Sequence, residues 1–270
     1  MKVELLAPAG NRAKLNTALY FGADAAYVGG KAFSLRSFAD NFGGEELASA
    51  ISYAHSLGKK IYVTANIFAK NADMSALEEY FAFLQGSGAD AAIISDPGVF
   101  YACKKAAPKL AVHISTQANV TNKYAVKFWK EQGASRVILA RELSLAEIAQ
   151  IHSFVPDIEL EAFVHGAMCI SYSGRCLLSN YLAGRESNRG ECVQACRWNW
   201  QVRKNESGSE SGWMNVEEDE RGTYIFNSKD LNMSEHLNEL AQAGVCSFKI
   251  EGRMKSEYYL ATVINAYRRC

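Results

Sequence analysis

The stretch GEELASAISYAHSLGKKIYVTANIF, residues 44–68, decides how the chain reads. Its first part, 44–58, is an amphipathic segment that closes on Gly58, and a β-branched apolar run, KIYVTANIF, follows within a few residues. A glycine at that junction supplies the left-handed turn that lets a helix end and a strand begin. The same grammar runs along the chain in both directions. Apolar runs recur at 3–10 (VELLAPAG), 25–30 (AAYVGG), 91–95 (AAIIS), 111–116 (AVHIST), 136–140 (RVILA) and 159–166 (ELEAFVHG). Helix-like stretches such as 74–88 and 122–133 lie between them. In the first of these Leu77, Phe81 and Leu84 make one apolar stripe at helical spacing. Gly22, Gly88 and Gly133 occupy the place of Gly58 in their own units.

Seven units of this kind, with strands too uniformly apolar to keep one face wet, predict a parallel sheet covered by helices. An eighth follows at SEHLNELAQAG (234–244), SFKIEG (247–252) and a closing helix, SEYYLATVINAYRRC. Eight units favour a TIM-like (β/α)8 barrel over a doubly wound sheet, which also lacks its G-x-G-x-x-G phosphate loop here. The expected organisation is one barrel domain over residues 1–270. Residues 167–232 form a Cys-rich insertion after strand seven, on the face where barrels keep their chemistry. Within it, the Ser-, Gly- and Glu-rich stretch from Arg203 to Tyr224 reads as a hairpin tip.

The 270 residues carry 29 basic and 29 acidic side chains, so no net charge draws the chain toward nucleic acid or membrane. No secretory leader or membrane-length apolar run is present, which makes a cytoplasmic location the expectation and no membrane partner. In a reducing compartment clustered cysteines are metal ligands or catalytic thiols more often than disulfides. Four of the seven cysteines, Cys169, Cys176, Cys192 and Cys196, fall in the insertion with spacings C-x6-C, C-x15-C and C-x3-C. Four thiolates suit an iron–sulfur cluster or Zn²⁺. Zinc ribbons use paired C-x2-C knuckles, which these spacings do not match, and free structural thiols are the remaining alternative. Cys103, Cys246 and Cys270 stand alone and read as small apolar side chains or an exposed end.

Polar residues just after barrel strands point into the site, which nominates Gly29, Gly30, Asn66, Asp96, Ser115, Thr116, Gln117, Arg141, Glu142, His165, Lys249, Glu251 and Arg253. His165, Arg141, Glu142, Lys249 and Arg253 are the catalytic candidates, with His165 foremost as a proton relay four residues before Cys169. Asn66, Gln117, Arg197 and Trp198 are the substrate-binding candidates. Several cations at one mouth suit an anionic substrate, a dicarboxylate or a phosphodiester. Each has a structural alternative: Asp96 as the cap of the helix after Pro97, Arg141 paired with Glu142, Lys249 paired with Glu251. Arg185, Arg189, Arg197, Arg203 and Lys204, interleaved with Trp198 and Trp200, suit RNA phosphates and a stacked base, or else an apolar cap ringed by exposed arginines.

EAFVHGAMCISYSGRCLLS (161–179), together with ELLAPAGN, GADAAYVGGKAFSLRSFADNF and NSKDLNM…FKIEGRMKSEYY, resembles the collagenase-like peptidases, peptidase family U32, from residue 3 to residue 260. The form of ELLAPAGN and LRSFADNF is most similar to the branch that hydroxylates tRNA. The resemblance implies a TIM-like barrel with a 4Fe-4S cluster and oxygen-independent hydroxylation of tRNA wobble uridine, of an rRNA cytidine or of ubiquinone precursors. For tRNA it implies prephenate as oxygen source, and a related family subunit as a further partner. It carries ligand roles onto Cys169, Cys176 and Cys192. Cys196 is the fourth, because Asn232 stands where some relatives have a cysteine after the Asp-Leu pair. Family members generally continue into a smaller C-terminal domain beyond the last helix seen here. The peptidase reading predicts a nucleophile and base or a metalloprotease motif, and neither G-x-S-x-G nor H-E-x-x-H occurs. A non-catalytic zinc module is the third possibility.

Overall fold

The computed structural model describes residues 3–34, 40–169, 171–173, 175–198, 201–202, 214–215 and 230–270. Strands and helices alternate from the start: β1 (Glu4–Pro8), α1 (Arg12–Tyr20), β2 (Ala25–Gly29), α2 (Gly44–Ser56), β3 (Lys60–Ala65), α3 (Met74–Gly86) and β4 (Ala91–Ile94). α4 (Pro97–Ala106), β5 (Ala111–Ile114), α5 (Lys123–Glu131), β6 (Arg136–Ile138), α6 (Leu145–Phe154) and β7 (Glu159–Ala167) continue the series. After β7 come α7 (Leu178–Ala183), the two-residue strands β8 (Gln201–Val202) and β9 (Met214–Asn215), and β10 (Asp230–Asn232). α8 (Leu237–Gln242), β11 (Val245–Ile250) and α9 (Glu257–Arg269) complete the chain.

Each of β1 to β6 pairs in parallel with its successor, β6 pairs with β7, β7 with β11, and β11 with β1. The ring therefore closes as a (β/α)8 barrel. Gly22, Gly58, Gly88 and Gly133 have φ of 107°, 67°, 79° and 94°, so α1, α2, α3 and α5 do end in the left-handed turn that the sequence demands. Side-chain caps fix the starts of α4, α5 and α6: Asp96 accepts from Val99 N, Asn122 from Ala125 N, and Ser144 from Glu147 N.

Outward-facing strand residues such as Val28, Val63, Ile94, Ile114 and Val137 pack under the helices in one continuous apolar layer, and Leu6, Tyr27, Tyr62, Ile93 and Ile138 fill the barrel itself. The interior departs from the uniformly apolar expectation. Glu4, Arg136, Glu161 and Lys249 all point inward. Arg136 Nη1 lies 2.6 Å from Glu4 Oε1 and 3.0 Å from Glu161 Oε2, and Lys249 Nζ lies 2.8 Å from Glu161 Oε1. Tyr62 donates to Glu4 Oε2 at 2.6 Å and Ser247 to Glu4 Oε1 at 2.9 Å. Two cations meet the two inward carboxylates, Glu4 and Glu161, and Arg136 also reaches the exposed Glu159 at 2.7 Å, so the inner part of the plug is close to electroneutral. That balance is what allows charge to be buried at all.

Burial alone would weaken the Arg136 charge, yet Glu161 and Glu4 hold it firmly cationic. His113, edge-on to Tyr62, is kept neutral by burial and by Arg136 and Lys249, its pKa well below the ordinary 6.5.

Candidate functional site

The cavity at the C-terminal end of the barrel encloses about 150 Å³ and opens to solvent at its mouth. Lys249 and Phe163 form part of its floor. Asn66, Gln117 and Arg141 stand on its wall, and Cys169, Cys176 and Cys192 open into it from the segment after β7. Asn66 Nδ2 donates to Gln117 Oε1 at 2.8 Å. Arg141 lies over the Phe163 ring, 4.3 Å from its centre, and donates to the Ala167 carbonyl at 2.7 Å, turning toward the base of the Cys-rich segment rather than to Glu142. Glu142 is exposed and off the cavity, so the structure does not bring it to the site. Lys249 reaches down to Glu161 and not along its strand to Glu251; burial lowers its pKa more than Glu161 raises it.

Arg253 is buried at the cavity wall, donating to Ser34 Oγ at 2.7 Å, Thr64 Oγ1 at 2.8 Å and Asn41 Oδ1 at 3.1 Å. Gly29 makes room for it, since a Cβ there would stand 2.6 Å from Arg253 Nη1. Ser115 and Thr116 line the cavity as expected, whereas Asp96 serves α4 as its cap.

His165 is the main correction. Lys249 pairs with Phe163 but the next residue, Ile250, pairs with His165, so β7 carries one extra residue at Val164. Such a bulge reverses the inward and outward alternation beyond it. His165 therefore turns outward onto α9, with Nδ1 3.3 Å from the Tyr267 hydroxyl, and does not line the cavity. Burial lowers its pKa. Tyr267 in turn donates to Val164 O at 2.8 Å and receives Met233 N at 3.2 Å, pinning β10 against β7.

The basic residues of the Cys-rich segment are also committed. Arg189 makes a two-pronged contact with Asp73, Nη1 to Oδ2 at 2.8 Å and Nη2 to Oδ1 at 3.1 Å, and Nη1 donates to Phe68 O at 2.7 Å. Phe68 N donates back to Asn188 O at 3.0 Å, so the β3–α3 loop and the residues just before Cys192 are clamped together. Arg189 pulls the Asp73 pKa down to about 2. Arg197 pairs with Asp230 at 2.9 Å and borders a second pocket with Cys192 and Lys255. Trp198 is half exposed and Arg185 is exposed, neither lining the main cavity. Trp200, Arg203 and Lys204 lie outside the described residues.

Four residues of the site escaped the sequence reading. Glu161 holds Lys249 from below and is itself held by Arg136; the signal for Glu161 was the alternation Glu159, Glu161, Phe163 in a strand. Ser187 donates to the Cys176 carbonyl at 2.7 Å, and Asn188 lines the cavity with Oδ1 buried and unpartnered. An unmet buried acceptor costs about 1–3 kcal/mol, which a ligand can recover.

A family model for peptidase family U32 matches residues 10–270. The chain belongs to that family. It is 47% identical over 268 residues to tRNA hydroxylation protein P1 of Bacillus subtilis (strain 168), covering 99% of this chain and 63% of that protein. It is 41% identical over 305 residues to tRNA hydroxylation protein P of Escherichia coli (strain K12), covering 99% of this chain and 67% of that protein. The chain thus spans about two thirds of the length of these relatives. The structure of the U32 peptidase Mk0906 superposes with a TM-score of 0.60 at 14% identity over 95% of each chain, a likeness of fold.

For a U32 member the thiols decide what the site can hold. Burial raises the Cys169 pKa, the Ser171 backbone and Arg141 temper it, and Cys176 and Cys192 raise it again; Cys196 is raised by burial and by Cys169, Cys192 and Cys176. Cys169 and Cys196 therefore each feel the charge of neighbouring thiols, the condition that a shared cationic group relieves. Leu178 N donates to Cys176 Sγ at 3.4 Å, a bond of the type that tunes ligated sulfur. Among the described residues no three Cys, His, Asp or Glu side chains gather closely enough for a single ion. Cys169, Cys176 and Cys192 line one cavity while the half-buried Cys196 stands outside its lining, and four thiolates are the donor set of an iron–sulfur cluster or of Zn²⁺. No histidine lines the cavity, so among the described residues it presents no Cys–His or Ser–His pair for peptide hydrolysis.

Proposed function

We propose that this chain is the reaction barrel of an RNA-hydroxylating protein of the cytoplasm, which converts tRNA wobble uridine to 5-hydroxyuridine without molecular oxygen, using a small dicarboxylate such as prephenate. The observation that carries this is the opening of Cys169, Cys176 and Cys192 into the same barrel-mouth cavity as Arg141, Lys249 and Arg253. The names of the Bacillus and Escherichia relatives support RNA as the substrate. Cys169, Cys176, Cys192 and Cys196 would hold a 4Fe-4S cluster, which when bound supplies one-electron chemistry beside the substrate.

The chain's own residues do the rest. Arg141, stacked on Phe163, offers a flat cationic surface for a carboxylate or phosphate. Lys249 holds a proton at the floor against Glu161. Asn66 and Gln117 present amide groups to whatever enters. The peptidase reading retains the family's name but, among the described residues, no catalytic pair at the cavity.

The test is anaerobic purification with iron, sulfide and zinc analysis, followed by mass spectrometry of tRNA from cells that depend on this chain for the modification. About four irons and four sulfides per chain, lost in Cys196→Ser, and appearance of 5-hydroxyuridine are expected. Stoichiometric zinc without sulfide under strict anaerobiosis would overturn the cluster, and unmodified tRNA would overturn the substrate.

A further inference from the structure

We propose that the cavity receives one pyrimidine base turned out of its RNA strand, and that Gln117 and Asn188 read the edge of that base. This rests on the RNA reading above and names the specificity-determining residues of the same site.

The first observation is the buried, unpartnered Oδ1 of Asn188 at the cavity wall. Its backbone is fixed, because Phe68 N donates to Asn188 O at 3.0 Å and the next residue, Arg189, is gripped by Asp73. The second is Gln117. Its Oε1 is taken by Asn66, its backbone N donates to Ser115 Oγ at 3.3 Å, and its backbone O receives Asn119 Nδ2 at 2.8 Å. Asn119 sits in the left-handed region, φ 54°, to make that last contact. The Gln117 amide is thus oriented before any ligand arrives, with Nε2 making no hydrogen bond among the described residues. One held acceptor and one held donor belong to two residues that line the same cavity.

The Watson–Crick edge of a pyrimidine presents neighbouring donor and acceptor positions, N3–H and O4 in uracil, which such a pair complements. Arg141 over Phe163 adds a guanidinium plane of the kind on which bases stack. A base paired within a helix cannot enter a barrel mouth, so the nucleotide must be unpaired or turned out. The thiols of Cys169, Cys176 and Cys192 line the same space, which places the base beside the reacting group of the proposed function.

The experiment compares anaerobic binding of two anticodon stem-loops, one with uridine at the wobble position and one abasic there. The proteins are the native chain, Gln117→Glu, and the double variant Gln117→Ala/Asn188→Ala. Gln117→Glu preserves size while turning a donor into an acceptor. The native chain is expected to bind the uridine loop at least tenfold more tightly than the abasic one, a difference of about one to two hydrogen bonds. Both variants, with circular dichroism melts like the native chain, are expected to shrink that ratio to within twofold. A native ratio near one, or a double variant that keeps the full ratio, overturns the base-reading role while leaving the RNA reading intact. Failure of the native chain to bind either loop overturns both.

Discussion

Arg136 and Arg189 each grip carboxylates, and their settings are opposite. Arg136 is 4% exposed inside the barrel, where Glu4 and Glu161 surround it. Arg189 is 25% exposed on the Cys-rich segment and faces Asp73 from the β3–α3 loop. The first contact ties β1, β6, β7 and β11 together through the middle of the fold. The second ties a roof to a wall. Charge in the interior is committed to keeping the barrel closed, while charge at the mouth sets where Cys192 stands, so damage to each should be read out in different quantities.

The largest effect is expected from Glu161→Ala. It strands Arg136 and Lys249 with one fewer counter-charge where water cannot help, and breaking a buried pair costs about 3–5 kcal/mol. Urea denaturation should show that loss, and a loss below about 1 kcal/mol would mean the interior is wetter than its burial states. Replacing Glu161 and Lys249 together with apolar residues of similar size should recover much of it, since a removed pair costs far less than a broken one.

Arg189→Met should sharpen the contrast. A partly exposed two-pronged contact contributes about 1–2 kcal/mol locally, so the global urea midpoint should hardly move. The rate of Cys192 alkylation in the metal-free chain should rise instead. Acid tests the same clamp. The Asp73 carboxyl is held below its ordinary 3.8 to about 2, so its contribution is complete above pH 4 and lost as pH falls toward 2. Amide exchange of residues 186–192, corrected for intrinsic rates, should accelerate in that window and be flat in Arg189→Met.

His113 gives a smaller, pH-dependent signature. Its folded pKa lies below the ordinary 6.5, so as pH falls through that value the unfolded chain gains a proton that the folded chain refuses. Stability is full above that point and declines below it, by about 1 kcal/mol over the first unit for a single such group. His165 has the same sign and adds to the slope. His113→Phe should flatten part of the decline between pH 7 and 5.5; an unchanged slope would assign all of it elsewhere. Asp96→Ala, which removes only the α4 cap, should cost about 1 kcal/mol and leave every property of the mouth untouched.

The barrel was legible because its grammar is local. An apolar stripe, a glycine with positive φ and a β-branched run are read within one unit, and α2, α3 and α5 begin and end within about two residues of their sequence bounds. The cysteines were legible as a group for the same reason. What resisted reading depends on pairings between distant strands. Glu4 and Arg136 are separated by 132 positions and look like strand-end charges until the ring closes. Lys249 was matched to a neighbour two residues away when its partner lay 88 away. His165 was misplaced because a bulge leaves no mark on composition. Arg189 looked like a free cation beside aromatics, and only the folded loop reveals Asp73 opposite it.

The extra residue at Val164 acts as a phase shift in the strand. Everything before it obeys one parity and everything after it the other, so the stem that carries Cys169 leaves the barrel rotated by half a pleat. Gly166, with φ 109° and a Glu251 backbone oxygen 2.9 Å from where a Cβ would stand, falls where that rotated stem runs against the residue just past β11. Deleting Val164 would restore regular parity, swing the His165 imidazole toward the interior and carry the first thiol away from its companions. The placement of this chain's thiols is thus encoded partly as a count of residues, independent of which residues they are.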